Sequence, residues 1–111
     1  MPHGSRPVYE VKAGLFRVLG HPARVRILEL LREGERSVGA LQAELGLDSG
    51  GTSQHLAALR RIGLVESRRE GTSVYYRVDD ERVFELLAAG RAIIGRRLVE
   101  QQSILRELET S

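Results

Sequence analysis

Apolar residues recur at three- and four-residue spacing through the first half of the chain, a period typical of amphipathic helices. The first predicted helix runs from about Tyr9 to Leu19 and ends at Gly20. The second begins at Pro22, where the fixed proline torsion suits a first helical turn, and stops at Gly34. Its apolar surface is broad, so we expect it to lie centrally in the fold.

Two shorter helical patterns follow, joined by a tight turn. Ser37 is suited to cap the third helix and Gly46 to end it. The fourth helix follows Asp48, repeats its apolar residues every three positions from Leu56, and stops at Gly63. The third and fourth helices together predict a helix-turn-helix.

A β-hairpin and a long last helix complete the predicted order. Residues 64–69 and 73–78 alternate or hold β-branched and aromatic residues, with Gly71 between them to allow a positive φ. Asp79 or Asp80 can cap a last helix over about residues 80–109, which would be about 45 Å long. The order α-α-α-α-β-β-α predicts a mainly α fold with a β-hairpin (α+β). The apolar stripe of the last helix is longer than a small core can cover, so part of it needs another subunit.

Length and composition favour one small protein domain. With 111 residues and 41% hydrophobic content, we expect a single domain over residues 8–111 behind a disordered arm, residues 1–7. The chain has no cysteine, no apolar run long enough to span a membrane and no apolar segment typical of a signal peptide. These features predict a cytoplasmic protein without a membrane partner.

Positive charge is concentrated in the middle of the chain. Residues 1–78 hold twelve Lys or Arg against eight Asp or Glu, whereas residues 79–111 hold five against seven. Five arginines lie within eighteen residues: Arg60, Arg61, Arg68, Arg69 and Arg77. Charge alone leaves an ordinary solvated surface as an alternative to a surface that binds nucleic acid.

The start of the fourth helix carries short polar side chains, as the part of a recognition helix that enters the major groove requires. Gln54 can pair with adenine through two hydrogen bonds, and Ser53 can contact base edges or phosphates. Ser49 and Thr52 could equally be capping or solvated residues. The hairpin decides between these readings, because arginines on a hairpin directly after a recognition helix are typical of the wing of a winged helix, which contacts phosphates or the minor groove.

Several segments resemble the ArsR/SmtB family of winged-helix regulators, and the resemblance covers roughly residues 16–87. They are Phe16-Arg17-Val18-Leu19-Gly20-His21-Pro22-Ala23-Arg24-Val25-Arg26-Ile27-Leu28, Ser53-Gln54-His55-Leu56-Ala57-Ala58-Leu59-Arg60, Gly63-Leu64-Val65, Arg69-Glu70-Gly71 and Val74-Tyr75-Tyr76. The resemblance implies a homodimer formed by the first and last helices. It also implies binding to an inverted-repeat operator in double-stranded DNA and a response to an effector.

Together, the residues and the resemblance predict two sets of functional side chains. The DNA-binding set is Ser49, Thr52, Ser53, Gln54, His55, Arg60, Arg68, Arg69 and Arg77. The dimerisation set is Leu15, Phe16, Ile93, Ile94, Leu98 and Leu105.

The chain departs from the metal-sensing members of that family. Their cysteines on the third helix are replaced here by Val38-Gly39-Ala40-Leu41, and the last helix has no histidine. A cysteine-free chain with this amino terminus is nevertheless similar to a nickel-responsive member. The sequence therefore establishes no cofactor, and nickel or another divalent transition metal, with His3 as a candidate ligand, is the one expectation of this kind.

Two other functional classes are alternatives to DNA binding. A protein-interaction module would use the long last helix to bind a partner regulator without reading DNA itself, and Gly50-Gly51 and the modest net charge leave this alternative open. An enzyme is not expected, because Ser53 and His55 point in different directions on a helix and no nucleophile elbow or paired carboxylates are present in the sequence.

Overall fold

The structure is a computed structural model that describes residues 6–110, so most of the predicted arm, and His3 with it, lies outside the described residues. It contains helices α1 (Val8–Leu19), α2 (Pro22–Leu31), α3 (Val38–Leu45), α4 (Ser49–Arg61) and α5 (Arg82–Thr110), and strands β1 (Arg36–Ser37), β2 (Glu66–Glu70) and β3 (Ser73–Arg77). The described chain divides into two compact units, one ending at Asp80 and the other starting at Glu81. The single domain predicted over residues 8–111 stays a prediction.

Helix α2 begins where the proline predicted it. The ring Nδ1 of His21 accepts a hydrogen bond from the Ala23 N–H at 3.1 Å and so caps the helix, with Pro22 in the first turn. Ile27 and Leu28 on its inner side are 0% exposed. The predicted central position of this helix is therefore confirmed.

The helix-turn-helix is also confirmed, together with the residues that delimit it. The Ser37 hydroxyl accepts a hydrogen bond from Ala40 N–H at the start of α3, and Gly46 ends that helix with a φ of 65°. The Asp48 carboxylate then caps α4 by accepting the Gly51 N–H at 2.7 Å. Each cap satisfies a backbone N–H that the first turn of a helix leaves unpaired.

A Schellman motif ends α4 and turns the chain toward the sheet. Gly63 has a φ of 79°, and its N–H donates to the Arg60 carbonyl at 3.0 Å. The N–H of Leu64 donates to the Leu59 carbonyl, also at 3.0 Å. These two bonds are the pairing that defines the motif. Val65 follows immediately and is 0% exposed, which anchors the entry into β2.

The sheet has three antiparallel strands in the order β1-β3-β2, one more than the sequence predicted. Strands β2 and β3 form the predicted hairpin, whose last pair is Glu70 with Ser73 and whose turn holds Gly71 at a φ of 62°. The extra strand, β1, pairs Arg36 with Tyr76. The correct element order is therefore α-α-β-α-α-β-β-α; a strand of two residues shows no alternation from which it could have been predicted.

The core of the first unit is built from α2, α3, α4 and the segment before β2. Its nearly inaccessible side chains are Ile27, Leu28, Leu41, Leu56, Leu59, Val65 and Thr52. Burying one aliphatic side chain of this size stabilises a fold by about 1.5–3 kcal/mol. Because two of the aliphatic members belong to α4, packing fixes the inner side of that helix and leaves its opposite side toward solvent.

Helix α5 forms the second unit and is roughly 44 Å long. Seven of its large apolar side chains are more than half exposed: Ile93, Ile94, Leu98, Val99, Ile104, Leu105 and Leu108. At 100° per residue, all of these except Val99 fall within an arc of roughly 140°. Within residues 6–110, no helix is both long and apolar enough to cross a membrane.

Candidate nucleic-acid interface

Helix α4 has a continuous exposed stripe opposite its buried side. Ser53, Ala57 and Arg60 follow one another at four- and three-residue spacing. Gln54 and Arg61 lie beside this row and are seven residues, or about two turns, apart. All five side chains are exposed. We call this set the outer face of α4; it places short polar groups toward the start of the helix and two cations at its end.

The first turn of α4 shows why one predicted DNA contact is wrong. Thr52 is 0% exposed, and its hydroxyl donates to the Asp48 carbonyl at 2.9 Å. A side chain held this way cannot reach a ligand outside the protein, so Thr52 is a core and capping residue. Ser49 is exposed, as its predicted role requires. A Cβ on Gly51 would lie 2.9 Å from the capping Asp48 oxygen, which explains a residue without a side chain there.

The hairpin of β2 and β3, which we call the wing, separates two arginines that the sequence analysis grouped together. Successive residues of a strand point to opposite faces. Arg68 is paired with Tyr75 on one face, whereas Arg69 is paired with Val74 on the other. Adjacent arginines in the sequence therefore have different surroundings.

Arg68 is bound by carboxylates of its own chain. Its Nη2 and Nε donate to the two oxygens of Glu35 at 2.6 and 2.9 Å, and its Nη1 donates to Glu70 at 2.8 Å. The guanidinium also lies 4.6 Å from the ring centroid of Tyr75, a cation–π distance. The hydrogen bonds from Arg68 lower the pKa of Glu35, and those same bonds raise the pKa of Arg68. Its donors are largely committed within the protein.

Arg77 shares that face of the wing and is also paired. Its Nε donates to the Asp79 carboxylate at 2.8 Å. By contrast, Arg60, Arg61 and Arg69 form no ion pair within the described part of the chain. Among the arginines of α4 and the wing, those without an ion pair thus lie on the outer face of α4 and on the Arg69 face of the wing.

An open groove of about 420 Å³ joins those two surfaces. Its lining residues are Arg60, Ser67, Arg68, Arg69, Val74 and Tyr76. Four of them belong to the Arg69 face of the wing, since Ser67 pairs with Tyr76 and Arg69 with Val74. The groove therefore combines two unpaired guanidinium groups with hydroxyl groups, a set of donors that suits phosphate oxygens.

His55 lies on the flank of α4 and contacts α2. Its Nδ1 accepts a hydrogen bond from the Nε of Arg24 at 3.1 Å, and its ring centroid is 4.3 Å from that of His21. Partial burial, followed by the charges of His21 and Arg24, lowers the pKa of His55. One ring nitrogen of His55 is therefore used inside the protein, and contact of this side chain with DNA stays a prediction.

Comparison with known proteins identifies the family. The model for "Bacterial regulatory protein, arsR family" matches residues 21–67. The protein described as uncharacterized HTH-type transcriptional regulator Rv0081, from Mycobacterium tuberculosis, is 45% identical over 105 residues, which cover 94% of this chain and 92% of that protein. The chain belongs to the arsR family.

Solved structures agree with this membership. The crystal structure of Rv0081 from M. tuberculosis matches with a TM-score of 0.80 and 46% identity, covering 87% of this chain and 98% of that one. The solution structure of the homodimeric winged helix-turn-helix DNA-binding domain Mb0332, from Mycobacterium bovis, matches with a TM-score of 0.73 and 35% identity, covering 88% and 93%. This arsR-family chain is a transcriptional regulator with a DNA-binding winged helix-turn-helix, and its relatives are not enzymes.

The described residues of this arsR-family regulator do not fit a metal centre. Between residues 6 and 110 there is no group of three or more His, Asp or Glu side chains that could hold an ion. His21 and His55 each use the Nδ1 lone pair to accept an N–H, so the ring proton sits on Nε2 and neither nitrogen is free for a metal. His3, the predicted ligand, lies outside this range.

Three residues of the arsR-family site were missed by the sequence analysis. Arg61 could have been found, because it lies on the same helical stripe as Gln54 at a spacing of seven. Glu35 and Arg24 could not, because their partners are 33 and 31 residues away along the chain. No local pattern reports contacts over such separations.

Proposed function

We propose that this protein is a sequence-specific regulator that binds an inverted-repeat operator as a homodimer, with α4 in the major groove and the wing on the adjoining backbone. One observation carries the proposal: the outer face of α4 continues through a groove to Arg69, with unpaired cations on both sides. A helix with polar residues at its start and cations at its end matches the shape and charge of a major groove.

The residues of this surface divide into two roles. Ser53 and Gln54 have exposed side chains with hydrogen-bonding groups that can distinguish base edges. Arg60, Arg61 and Arg69 supply charge that phosphates attract whatever the sequence. Phosphate contacts set register and affinity, and base contacts set sequence choice.

We propose a supporting role for the paired arginines. Arg68 and Arg77 have carboxylate partners, so transfer to a phosphate would require those pairs to break. Arg68 instead ties the wing to Glu35, just before β1, and thereby holds Arg69 at the groove. Ser49 remains a candidate phosphate contact, because it is exposed in the first turn of a helix whose backbone N–H groups favour anions.

The exposed apolar residues support a homodimer. On α5 they include Ile93, Ile94, Leu98 and Leu105, all four predicted for dimerisation, and α1 exposes Phe16 by 56%. Apolar stripes of this extent call for a covering partner, and a second copy of the chain fits because the similar Mb0332 domain is homodimeric. Two copies would present their α4 helices to successive major grooves about 34 Å apart.

The test is selection of bound sequences from a random duplex library, followed by titration of the selected operator at several salt concentrations. We expect a palindromic site and an affinity that falls steeply with salt, because each phosphate contact contributes about −0.9 to the slope of log K against log salt. An affinity insensitive to salt would contradict the phosphate contacts.

Selection that yields no preferred duplex, together with a partner regulator that co-purifies through α5, would instead favour the protein-interaction module. This outcome separates the two functional classes. The same titration with added nickel tests the effector expected from the family resemblance. Since the described residues do not fit a metal site, we expect nickel to leave the affinity unchanged unless residues 1–5 or a second copy supply ligands.

A further inference from the structure

Three side chains connect α4 to α2 and, through α2, to α1. Arg24 on α2 donates through Nε to the Nδ1 of His55 on α4, at 3.1 Å, and through Nη1 to the carbonyl of Val18 on α1, at 3.3 Å. His21, the cap of α2, stands with its ring 4.3 Å from that of His55 and tilted by 45°. We call His21, Arg24 and His55 the histidine clamp.

The hydrogen bonds of the clamp require both imidazoles to be neutral. The Nδ1 of His55 accepts from Arg24, and the Nδ1 of His21 accepts from the Ala23 N–H. A neutral imidazole that accepts at Nδ1 carries its proton on Nε2, so a second proton can add only at Nδ1. Protonation would therefore put a donor opposite a donor at each of these contacts.

The charges around the clamp oppose protonation as well. Arg24 is a permanent cation in contact with His55, and each imidazole faces the other. Within the described chain, neither ring nor the Arg24 guanidinium is paired with a carboxylate. A proton on His55 would thus create two adjacent cations without a counter-charge.

The position of His55 makes this relevant to the site. It follows directly after Ser53 and Gln54 on α4, at the edge between the outer face and the buried Leu56. A change in the contact between His55 and α2 would shift the turn that carries the proposed base-reading side chains.

We propose that the histidine clamp positions α4 for DNA binding, with Arg24 and His21 as positioning residues, and that protonation of His55 releases the helix and weakens binding. This inference rests on the proposed function. DNA binding by this regulator, whose described residues fit no metal, would then respond to pH without a partner protein.

The direction of the pH effect follows from the state that the clamp favours. Because the pKa of His55 is lowered in the folded protein, the unfolded chain binds more protons than the folded one below the ordinary histidine value of about 6.5. The contribution of neutral His55 to the stability of the folded protein is therefore fully present above about pH 6.5. It is lost as the pH falls through the lowered pKa of His55. Affinity for DNA should decline over the same window.

The experiment measures affinity of the full chain for its selected operator between about pH 8 and about pH 5.5 at constant ionic strength, a range that brackets histidine titration. We expect the wild-type affinity to fall several-fold toward acid, because protonation of His55 replaces its hydrogen bond from Arg24 with a contact between two donors. His55→Gln should flatten the profile, because a glutamine oxygen can accept from Arg24 without titrating.

Two results would overturn the clamp. One is an identical profile for wild type and His55→Gln; the other is an affinity that rises toward acid through His55, as expected if that ring contacts phosphate directly. His21→Asn, which retains a good helix cap but removes the ring beside His55, serves if His55→Gln does not fold. Its affinity must begin to fall at a higher pH than that of the wild type, because His21 no longer lowers the pKa of His55.

A DNA-free readout separates failure of the clamp from failure of the proposed function. In an NMR pH titration, protonation of His55 should move the backbone amide signals of Ser53 and Gln54 with the same midpoint. Arg24→Lys, which lacks the fork needed to reach both Val18 and His55, should raise that midpoint. Amide signals that do not follow His55 would contradict the clamp even if the protein binds no duplex at all.

Discussion

At the residue scale, the surroundings of a charge matter more than its presence. Arg68 and Arg69 are adjacent, yet one is bonded to two carboxylates and the other has no ion-pair partner within the described chain. The two-residue period of a strand produces this difference, since it sends neighbouring side chains to opposite faces. Free guanidinium groups can exchange counterions for phosphates, whereas paired ones must first lose their partners.

We therefore predict different salt dependences for two variants. Arg69→Gln should reduce the steepness of the log K against log salt plot by about 0.9 per protomer, because one phosphate contact is lost. The double change Arg68→Gln with Glu35→Gln removes a pair of opposite charges and should lower affinity with little change of slope. Titration of the operator with each variant and with the wild type, at several salt concentrations, measures the affinities and the slopes. Equal slope changes would show that Arg68 also contacts phosphate.

Sequence choice is predicted to depend on Gln54. Gln54→Ala should relax discrimination by about 1–3 kcal/mol at one base pair of each half-site, because a bidentate contact to adenine is lost. Arg61→Ala, on the same face and about two turns further along the helix, is the control and should weaken all duplexes alike. Binding to a set of single-base operator variants distinguishes them. A uniform loss from the Gln54 change would remove its assigned role.

At the element scale, α4 is defined by its ends. Asp48 caps its start through Gly51, and the Schellman motif at Gly63 ends it and leads into the wing. Strand β1 adds a second constraint, because it pairs with β3 and follows directly after Glu35, the partner of Arg68. The start and end of α4 are thus fixed, and the wing is fixed by β1 and by the pair between Glu35 and Arg68. Together these contacts keep Arg60 and Arg69 at one groove.

The two glycines in the first turn of α4 should respond differently to alanine. Gly50→Ala meets nothing closer than 3.9 Å and should stabilise the fold by about 0.5–1 kcal/mol, through lower backbone entropy of the unfolded chain. Gly51→Ala would displace the capping Asp48 oxygen, costing about 1 kcal/mol and cancelling that gain. Thermal or urea unfolding of the pair measures the difference. Equal stabilisation would mean that the cap tolerates the methyl group.

At the scale of the whole molecule, the exposed apolar stripe of α5 predicts an obligatory partner. Leu98 lies inside the arc of roughly 140° that holds most of the apolar residues, whereas Val99 lies outside it, and both are more than half exposed. A homodimer that buries this arc would gain roughly 1.5–3 kcal/mol for each leucine-sized side chain it covers. Folding and DNA binding would then depend on protein concentration.

Leu98→Asp should accordingly weaken the dimer and, through it, the affinity for the full operator, while leaving binding to a half-site duplex less affected. Val99→Asp is the matched control, with the same new charge one residue away and off the stripe, and should leave the oligomeric state unchanged. Sedimentation velocity at several concentrations gives both results. If the two variants dissociate equally, the arc is not the interface.

The sequence by itself determined the elements that depend on local physics. Periodicity predicted all five helices and the hairpin, and residues with special backbone or capping chemistry, such as Ser37, Gly46 and Gly63, marked their ends. The family resemblance was carried by the same segments, and comparison with known proteins confirmed it. These features were predictable because helix and strand periods, caps and positive φ values act over a few residues.

Only the tertiary structure decided which candidate side chains are available for binding. It removed Thr52 into the core, tied Arg68 to Glu35 and joined His55 to Arg24, and it revealed β1 beside β3. Each of these outcomes depends on contacts between residues far apart in the chain or on which side of an element is buried. Local patterns show which residues could bind DNA, but packing determines which of them remain free to do so.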